Sequence, residues 1–235
     1  MTQPPFPVLE LLPTYPARSL RLKGQSYFED AQGRQLPSVT TILNATKPAE
    51  DWEALKQWRD RVGAEEANRI ARTASRRGSQ THKHIRSYLL GQAIACPDPV
   101  RPYWDSVAPV LSDIDRVHLV ESVVVHDALS YGGRVDCVAT YRGMPCVVDW
   151  KTADRPKGSV ERLYDAPLQL AAYSGAVNQC YASEGMRVRH ALLVVAIADQ
   201  PAELFWFDAE TLVQYWQQWQ TRVEQFQSRF RRSSL

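Results

Sequence analysis

The 235-residue chain is 44% apolar and 23% charged with a net charge of +2 at pH 7, an ordinary composition for a globular protein. Its length suits one domain with a decorated edge, or one domain plus a helical subdomain, and no run approaches the length that would cross a membrane. Four scattered cysteines (Cys96, Cys137, Cys146, Cys180) with no C-x-x-C pair argue against a zinc site and read as small buried hydrophobes in a reducing compartment, so a cytoplasmic location is expected.

The first sixteen residues are proline-rich and lack a basic stretch leading into an apolar one. They read as an extended arm rather than a signal peptide or targeting presequence. Residues 17–36 read as short strands around turns. "PSVTTIL" then opens a short helix with Ser38 as its N-cap. Residues 49–75 have helical periodicity, and Trp52, Leu55, Trp58 and Val62 form a stripe expected to face a core. Gly78 is expected to break this helix, with Ser79 capping a second one over "QTHKHIRSYLLGQ". Residues 56–86 hold nine lysines and arginines against three acids, a local excess that suits a phosphate-binding face and equally a solvated helix face. "CPDPVRP" reads as a loop and "YWDSVAPVLSDI" as a helix despite Pro109.

The pattern then changes. "HLVESVVVHDA", "GGRVDCVATY" and "MPCVVDWKT" are valine-rich and bounded by turn residues, hence strands. "DAPLQLAAYSGAVNQCY" reads as a helix capped by Asp165, with Pro167 in its first turn. "RHALLVVAIA" and "AELFWF" are two more strands, and a long helix follows Asp208 with Leu212, Trp216, Trp219, Val223, Phe226 and Phe230 on one stripe. The expected fold class is therefore α/β, a mixed sheet flanked by helices, with a mostly helical N-terminal part against it. The expected division is an arm with short strands (1–36), a helical subdomain (37–117) and a core (118–235).

Three charges inside the strands carry the chemistry. If "RVDCVATY" and "MPCVVDWKT" form a hairpin turning at Arg142-Gly143 with Tyr141 opposite Met144, Asp136 stands opposite Asp149. Their β-carbons would be about 5 Å apart. Period-two alternation puts Lys151 on the face of Asp149, places Arg134 across from Lys151, and leaves Cys137, Ala139, Val148 and Trp150 to pack on the other face. A three-residue loop would instead separate the aspartates. Opposed like charges destabilise a sheet, so packing gives no reason for them, whereas Mg²⁺ (or Mn²⁺) held by carboxylates does.

Gly133-x-x-Asp136 followed by Asp149-Trp150-Lys151 resembles the PD-(D/E)xK nuclease superfamily, and Gln169-x-x-x-Tyr173 on the next helix resembles the motif of its RecB-like branch. "PSVTTIL", "RGSQTHKHI", "CVVDWKTADRPK" and "DAPLQLAAYSGAVN", in that order, are similar to the mitochondrial genome maintenance exonuclease family. The resemblance implies a restriction-endonuclease-like fold and a metal-dependent exonuclease acting on single-stranded DNA ends in replication, repair or recombination. The helical part would confine the strand. It implies metal binding by Asp136, Asp149, the Trp150 carbonyl and His82, and catalytic roles for Lys151, Gln169 and Tyr173. DNA contacts fall to Ser38, Thr40, Arg69, Arg72, Arg76, Arg77 and Lys83. Glu121 is implied either as indirect support of the metal or as a residue of the fold alone. His84 lies about 200° round the helix from His82 and is not expected in the site.

Two departures stand out. Arg86 occupies a position where the family often has glutamate, and only Cys180 follows the Gln169–Tyr173 helix, so no iron–sulfur cluster is implied. A monomeric bacterial or phage member with unspecified protein partners is expected. Two further readings stay open: a CRISPR- or restriction-associated endonuclease, and a non-catalytic DNA-binding module on the same fold.

Overall fold

The structure, a computed structural model, describes residues 5–232, the side chains of 230–232 excepted, so the first four residues of the expected arm and the Phe230 side chain lie outside it. The valine-rich segments form β5 (Ile114–His126), β6 (Tyr131–Tyr141) and β7 (Met144–Ala153), and the two later apolar runs form β8 (His190–Ile197) and β9 (Glu203–Phe207). With β1 (Val8–Leu9) they make one six-stranded sheet in the order β1-β5-β6-β7-β8-β9. Parallel pairs β1–β5 and β7–β8 sit among antiparallel ones, which makes the expected mixed sheet. Residues of the N-terminal segment add β2 (Ala17–Leu22), β3 (Gln25–Asp30) and β4 (Gln35–Pro37), a separate three-stranded antiparallel sheet.

Helices cover both faces of the large sheet. On one side α3 (Ala64–Leu89) and α4 (Arg101–Leu111) pack Ile85, Tyr88, Trp104 and Val107 against Cys137, Val148, Trp150 and Val194. On the other, α1 (Val39–Ala45), α5 (Ala166–Cys180) and α6 (Ala209–Arg232) pack Ile42, Leu170, Tyr173 and Trp219 against Val135, Val147 and Leu193. Each fully buried large side chain here contributes about 1.5–3 kcal/mol by leaving water. The Arg222 guanidinium is buried and gathers Thr46, the Leu43 carbonyl and Asp165, so α6 holds the end of α1 to the start of α5. Asp165 therefore makes no capping bond to α5, contrary to expectation. Ser38 does cap α1, accepting from Thr41 N–H at 3.0 Å. Among the described residues no helix is long and apolar enough to cross a membrane.

Two expectations for the basic segment are corrected. The helix α2 (Ala49–Val62) buries no residue, and Trp52 and Leu55 are 51% and 39% exposed, so its stripe faces no core. The break falls at Gly63, with φ of 85°, and α3 runs unbroken through Gly78. A β-carbon at Gly78 would meet only Thr152 Oγ1, at 3.8 Å, so that glycine lies over β7 with an ordinary helical backbone. The unbroken α3 carries one continuous face from Arg69 to Arg86, about 26 Å long at the helical rise.

Candidate active site

The hairpin between β6 and β7 turns at Arg142-Gly143, and Tyr141 pairs with Met144 as the pattern predicts. Arginine is an unusual choice for the first turn residue, whose φ is 49°. Here its guanidinium is tied to Asp113 at 2.7 Å, and Asp115 accepts from Gly143 N–H at 2.6 Å, so neighbouring acids fix the two-residue turn. The ladder then runs to Cys137–Val148 and stops. In the same register the next pair is Asp136 with Asp149. Rather than pairing, the strands part around the charges: Asp136 Oδ2 accepts from Trp150 N–H at 3.0 Å, and the Trp150 carbonyl faces His82 Nε2 at 2.7 Å.

On the other side of β6, Val120 pairs with Cys137 and Ser122 with Val135, which places Glu121 opposite Asp136. One acid from each of three adjacent strands thus forms a row: Glu121, Asp136, Asp149. Glu121 has φ of 47°, a left-handed conformation that is costly for a side chain of this size. Arg134 braces it, donating to the Glu121 carbonyl at 2.7 Å and to Ser19 Oγ at 3.2 Å. Arg134 pairs with Val123 and does not stand across from Lys151 as the pattern suggests, because the β6–β7 ladder ends before that point.

His82 reaches over from α3. Its Nδ1 lies 3.5 Å from Asp136 Oδ2 and 3.7 Å from Glu121 Oε1. Burial alone would lower the imidazole pKa, but Glu121, Asp136 and Asp149 outweigh it and raise it to about 9. Burial, then the neighbouring Asp149, pushes Asp136 up to about 7. Asp149 is 1% exposed, and Lys151 Nζ lies 2.6 Å from its Oδ2. That contact is an ion pair off hydrogen-bond alignment, so both Asp149 oxygens are left without an aligned donor. Burial opposes the Lys151 charge, yet Asp149 and Asp136 raise its pKa. Lys151 also donates to Gln169 Oε1 at 3.2 Å, and Gln169 Nε2 donates to Tyr173 OH at 2.9 Å, so the four-residue spacing on α5 serves to hold the lysine.

These residues fit a divalent cation. Among the described residues, His82, Glu121 and Asp136 offer ligand atoms that all lie within 4.8 Å of one another. Oxygen donors with one imidazole suit Mg²⁺ or Mn²⁺, and an Asp136 made reluctant to ionise by burial and by Asp149 is what an acidic site shows before a cation offsets its charge. Sequence reasoning left Glu121 undecided between metal and fold. Its place opposite Asp136 could have been found by extending the register to β5. Asp149 stands outside the three-residue group, engaged by Lys151 instead, and the Trp150 carbonyl is engaged by His82.

Two cavities share Arg134 as a lining residue, and the larger one reaches Glu121 of the row. One of about 670 Å³ runs along α3 past Ser79, His82, Lys83, Arg86, Glu121 and Arg134. The other, of about 430 Å³, lies under the small sheet and includes Ser38, Thr40, Arg134 and Tyr173. Of the expected DNA contacts, Arg72, Arg76 and Lys83 are exposed on one face of α3, and Arg69 shares that face while paired to Glu66 at 2.6 Å. Arg77 points elsewhere: it pairs with Asp154, bonds Thr152 and lies over the Tyr103 ring. Ser38 is buried and spent on its cap, while Thr40 is exposed. His84 is buried edge-on against Trp104, away from the row, and Trp150 is a core residue.

Comparison with known proteins identifies the superfamily. Mitochondrial genome maintenance exonuclease 1 of Mus musculus is 38% identical over 203 residues, covering 83% of this chain and 60% of the relative. The Xenopus tropicalis and Homo sapiens proteins of that name are 37% and 34% identical, each covering 83% of this chain and 58% and 59% of their own length. The chain thus spans about 60% of the length of these curated relatives. A solved structure from Eubacterium rectale aligns with a TM-score of 0.43 at 13% identity over 66% of each chain. The family model for the PD-(D/E)XK nuclease superfamily matches residues 46–233, and with that span the chain belongs to the PD-(D/E)XK nuclease superfamily.

Proposed function

We propose that the chain is a metal-dependent exonuclease that hydrolyses phosphodiester bonds at the ends of single-stranded DNA, using Mg²⁺ or Mn²⁺ and acting as a monomer. The observation that carries this reading is the row Glu121–Asp136–Asp149 beside His82 and Lys151, charges that packing does not require. The curated relatives are named as genome maintenance exonucleases, which supports the choice of DNA and of ends.

When bound, a divalent cation supplies Lewis-acid stabilisation of charge on the phosphoryl oxygens. His82, Glu121 and Asp136 are the residues that would hold it, with Asp149 contributing negative charge from beneath. Lys151 presents an ammonium to the charge that builds on the phosphate, and the Gln169–Tyr173 pair keeps it at that position. The exposed face of α3, with Arg69, Arg72, Arg76 and Lys83, binds phosphates of the incoming strand, and the helical segment 37–117 helps confine it. Thr40 contacts the strand from the smaller cavity, with Ser38 holding that turn. Arg77 serves to fix α3 to β7.

The test is digestion of linear and circular single-stranded DNA by wild type and Lys151→Ala, with Mg²⁺ or with EDTA. Metal-dependent loss of linear strands alone, abolished in the variant while DNA binding persists, is expected. Cutting of circles would move the enzyme to the endonuclease class. Binding without turnover on any substrate would leave a DNA-binding module.

A further inference from the structure

A cavity with a mostly apolar lining lies away from the acidic row. It has a volume of about 620 Å³ and lies between α5, α6 and the connection that leads into β8. On α5, Gln169 and Tyr173 face the acids, whereas Ala171 and Asn178 of this cavity lie on the opposite side of the helix, as their spacing requires. The proposed nuclease chemistry therefore makes no use of it.

Its floor is apolar: Ala171, Leu212, Val213 and Trp216, with Val213 left 55% exposed. Its rim is cationic. Arg187 and Arg189 both line it and are both exposed, while Val188 between them is buried. No acidic side chain lines the cavity, and among the described residues neither arginine joins an ion pair. The rim is also held in place. The Asn178 amide donates to the Val188 carbonyl at 2.9 Å and accepts from the Val188 N–H at 2.8 Å, so the backbone carrying the two guanidinium groups is clamped to α5. A pre-arranged rim loses less freedom when a ligand arrives.

We propose that this groove is a docking site for a short acidic peptide carrying large apolar side chains, such as the tail of a partner protein. Charge complementarity selects the acidic segment, since the arginines meet no acid of their own. The floor selects aliphatic or aromatic side chains. A nucleotide is the less favoured occupant: Asn178 is spent on Val188 and Ser174 Oγ is sealed from solvent, which leaves Gln179 and the second His126 nitrogen as the neutral lining groups for a base edge. Volume and lining match those of sites that bury small apolar groups beside a few oriented polar ones.

The test is fluorescence anisotropy with a labelled peptide Asp-Asp-Asp-Leu-Phe, free at its C-terminus, titrated with the full chain. Saturable binding that weakens with salt is expected, since rim ion pairs are screened. The double variant Arg187→Ala/Arg189→Ala should lose about tenfold or more in affinity. Val213→Asp, which puts a like charge on the floor, should abolish binding, with unfolding temperature read on the same preparations to show that both variants fold. The proposal is overturned by absence of binding, by unchanged affinity in the arginine variant, or by equal binding of Lys-Lys-Lys-Leu-Phe. Displacement of the peptide by a single-stranded oligonucleotide, retained when Lys83 and Arg86 are changed to alanine, would also overturn it and make the groove a nucleic-acid surface.

Discussion

Gly133→Ala separates the tertiary geometry from general rules. In a strand, replacing glycine by alanine is ordinarily favourable by about 0.5–1 kcal/mol, because alanine loses less backbone freedom on folding. The backbone at Gly133 is not left-handed, so no conformational penalty opposes that gain. Space does. A β-carbon there would stand 2.5 Å from Tyr173 Cε1 and 3.0 Å from Cδ1, with Val39 Cγ2 at 3.3 Å. The Tyr173 ring is buried and its hydroxyl is anchored by Gln169, so it cannot swing aside as the tip of a flexible chain would. Overpacking of this kind costs about 1–3 kcal/mol, and a 2.5 Å approach to an anchored ring belongs in the upper part of that range, about 2–3 kcal/mol, leaving a net destabilisation of about 1–2.5 kcal/mol. For a chain of this size that lowers Tm by about 2–10 °C. A displaced Tyr173 also drags Gln169 from Lys151, so turnover should fall further than the stability loss explains. Thermal unfolding by circular dichroism, with turnover on linear single-stranded DNA well below both transitions, measures the two effects. A variant as stable as wild type, with full turnover, would refute the reasoning.

Other outcomes follow from the charges. Without metal, the fold should weaken as pH rises. Asp136 titrates near 3.8 when unfolded and about 7 when folded, and His82 near 6.5 and about 9. Both hold protons more tightly in the folded state, so both contributions are present at low pH and are lost as pH climbs through 7 to 9. Urea midpoints in EDTA between pH 6 and pH 9 measure this, and a midpoint that rises across the range would contradict it. Mg²⁺ or Mn²⁺ should raise Tm of wild type at pH 8 and do so far less in Glu121→Ala. Equal shifts in both would remove Glu121 from the ligand set. Arg134→Ala should weaken Mn²⁺ binding measured by calorimetry, because the left-handed Glu121 loses its brace, and Arg134→Lys should restore part of it. Unchanged affinity in Arg134→Ala would reduce that contact to a surface bond.

Much of the site was legible because it rests on local rules. Side-chain alternation and one two-residue turn place Asp136, Asp149 and Lys151, and a four-residue helical spacing places Gln169 beside Tyr173. The N-cap at Ser38 and the mixed order of strands follow from similarly short-range signals. Errors arose where a short-range signal had a different use in three dimensions. Glycine often ends a helix, but Gly78 lets α3 lie over β7, and the true break is Gly63. The Trp52–Val62 stripe has the right period yet meets no core. Asp165 has a capping residue's position but is drawn to Arg222, far along the chain.

The sequence by itself determined the strands, the register of the hairpin and the placing of Asp136 and Asp149 at the end of its ladder, because each depends on residues within one turn or one ladder. Only the tertiary structure decided that Glu121 completes the row and that Arg77 is consumed by Asp154. It also decided that a cationic, apolar groove lies behind α5. Those outcomes depend on which distant segments meet, and on where a buried charge finds an opposite one, which pairwise spacing along the chain does not specify.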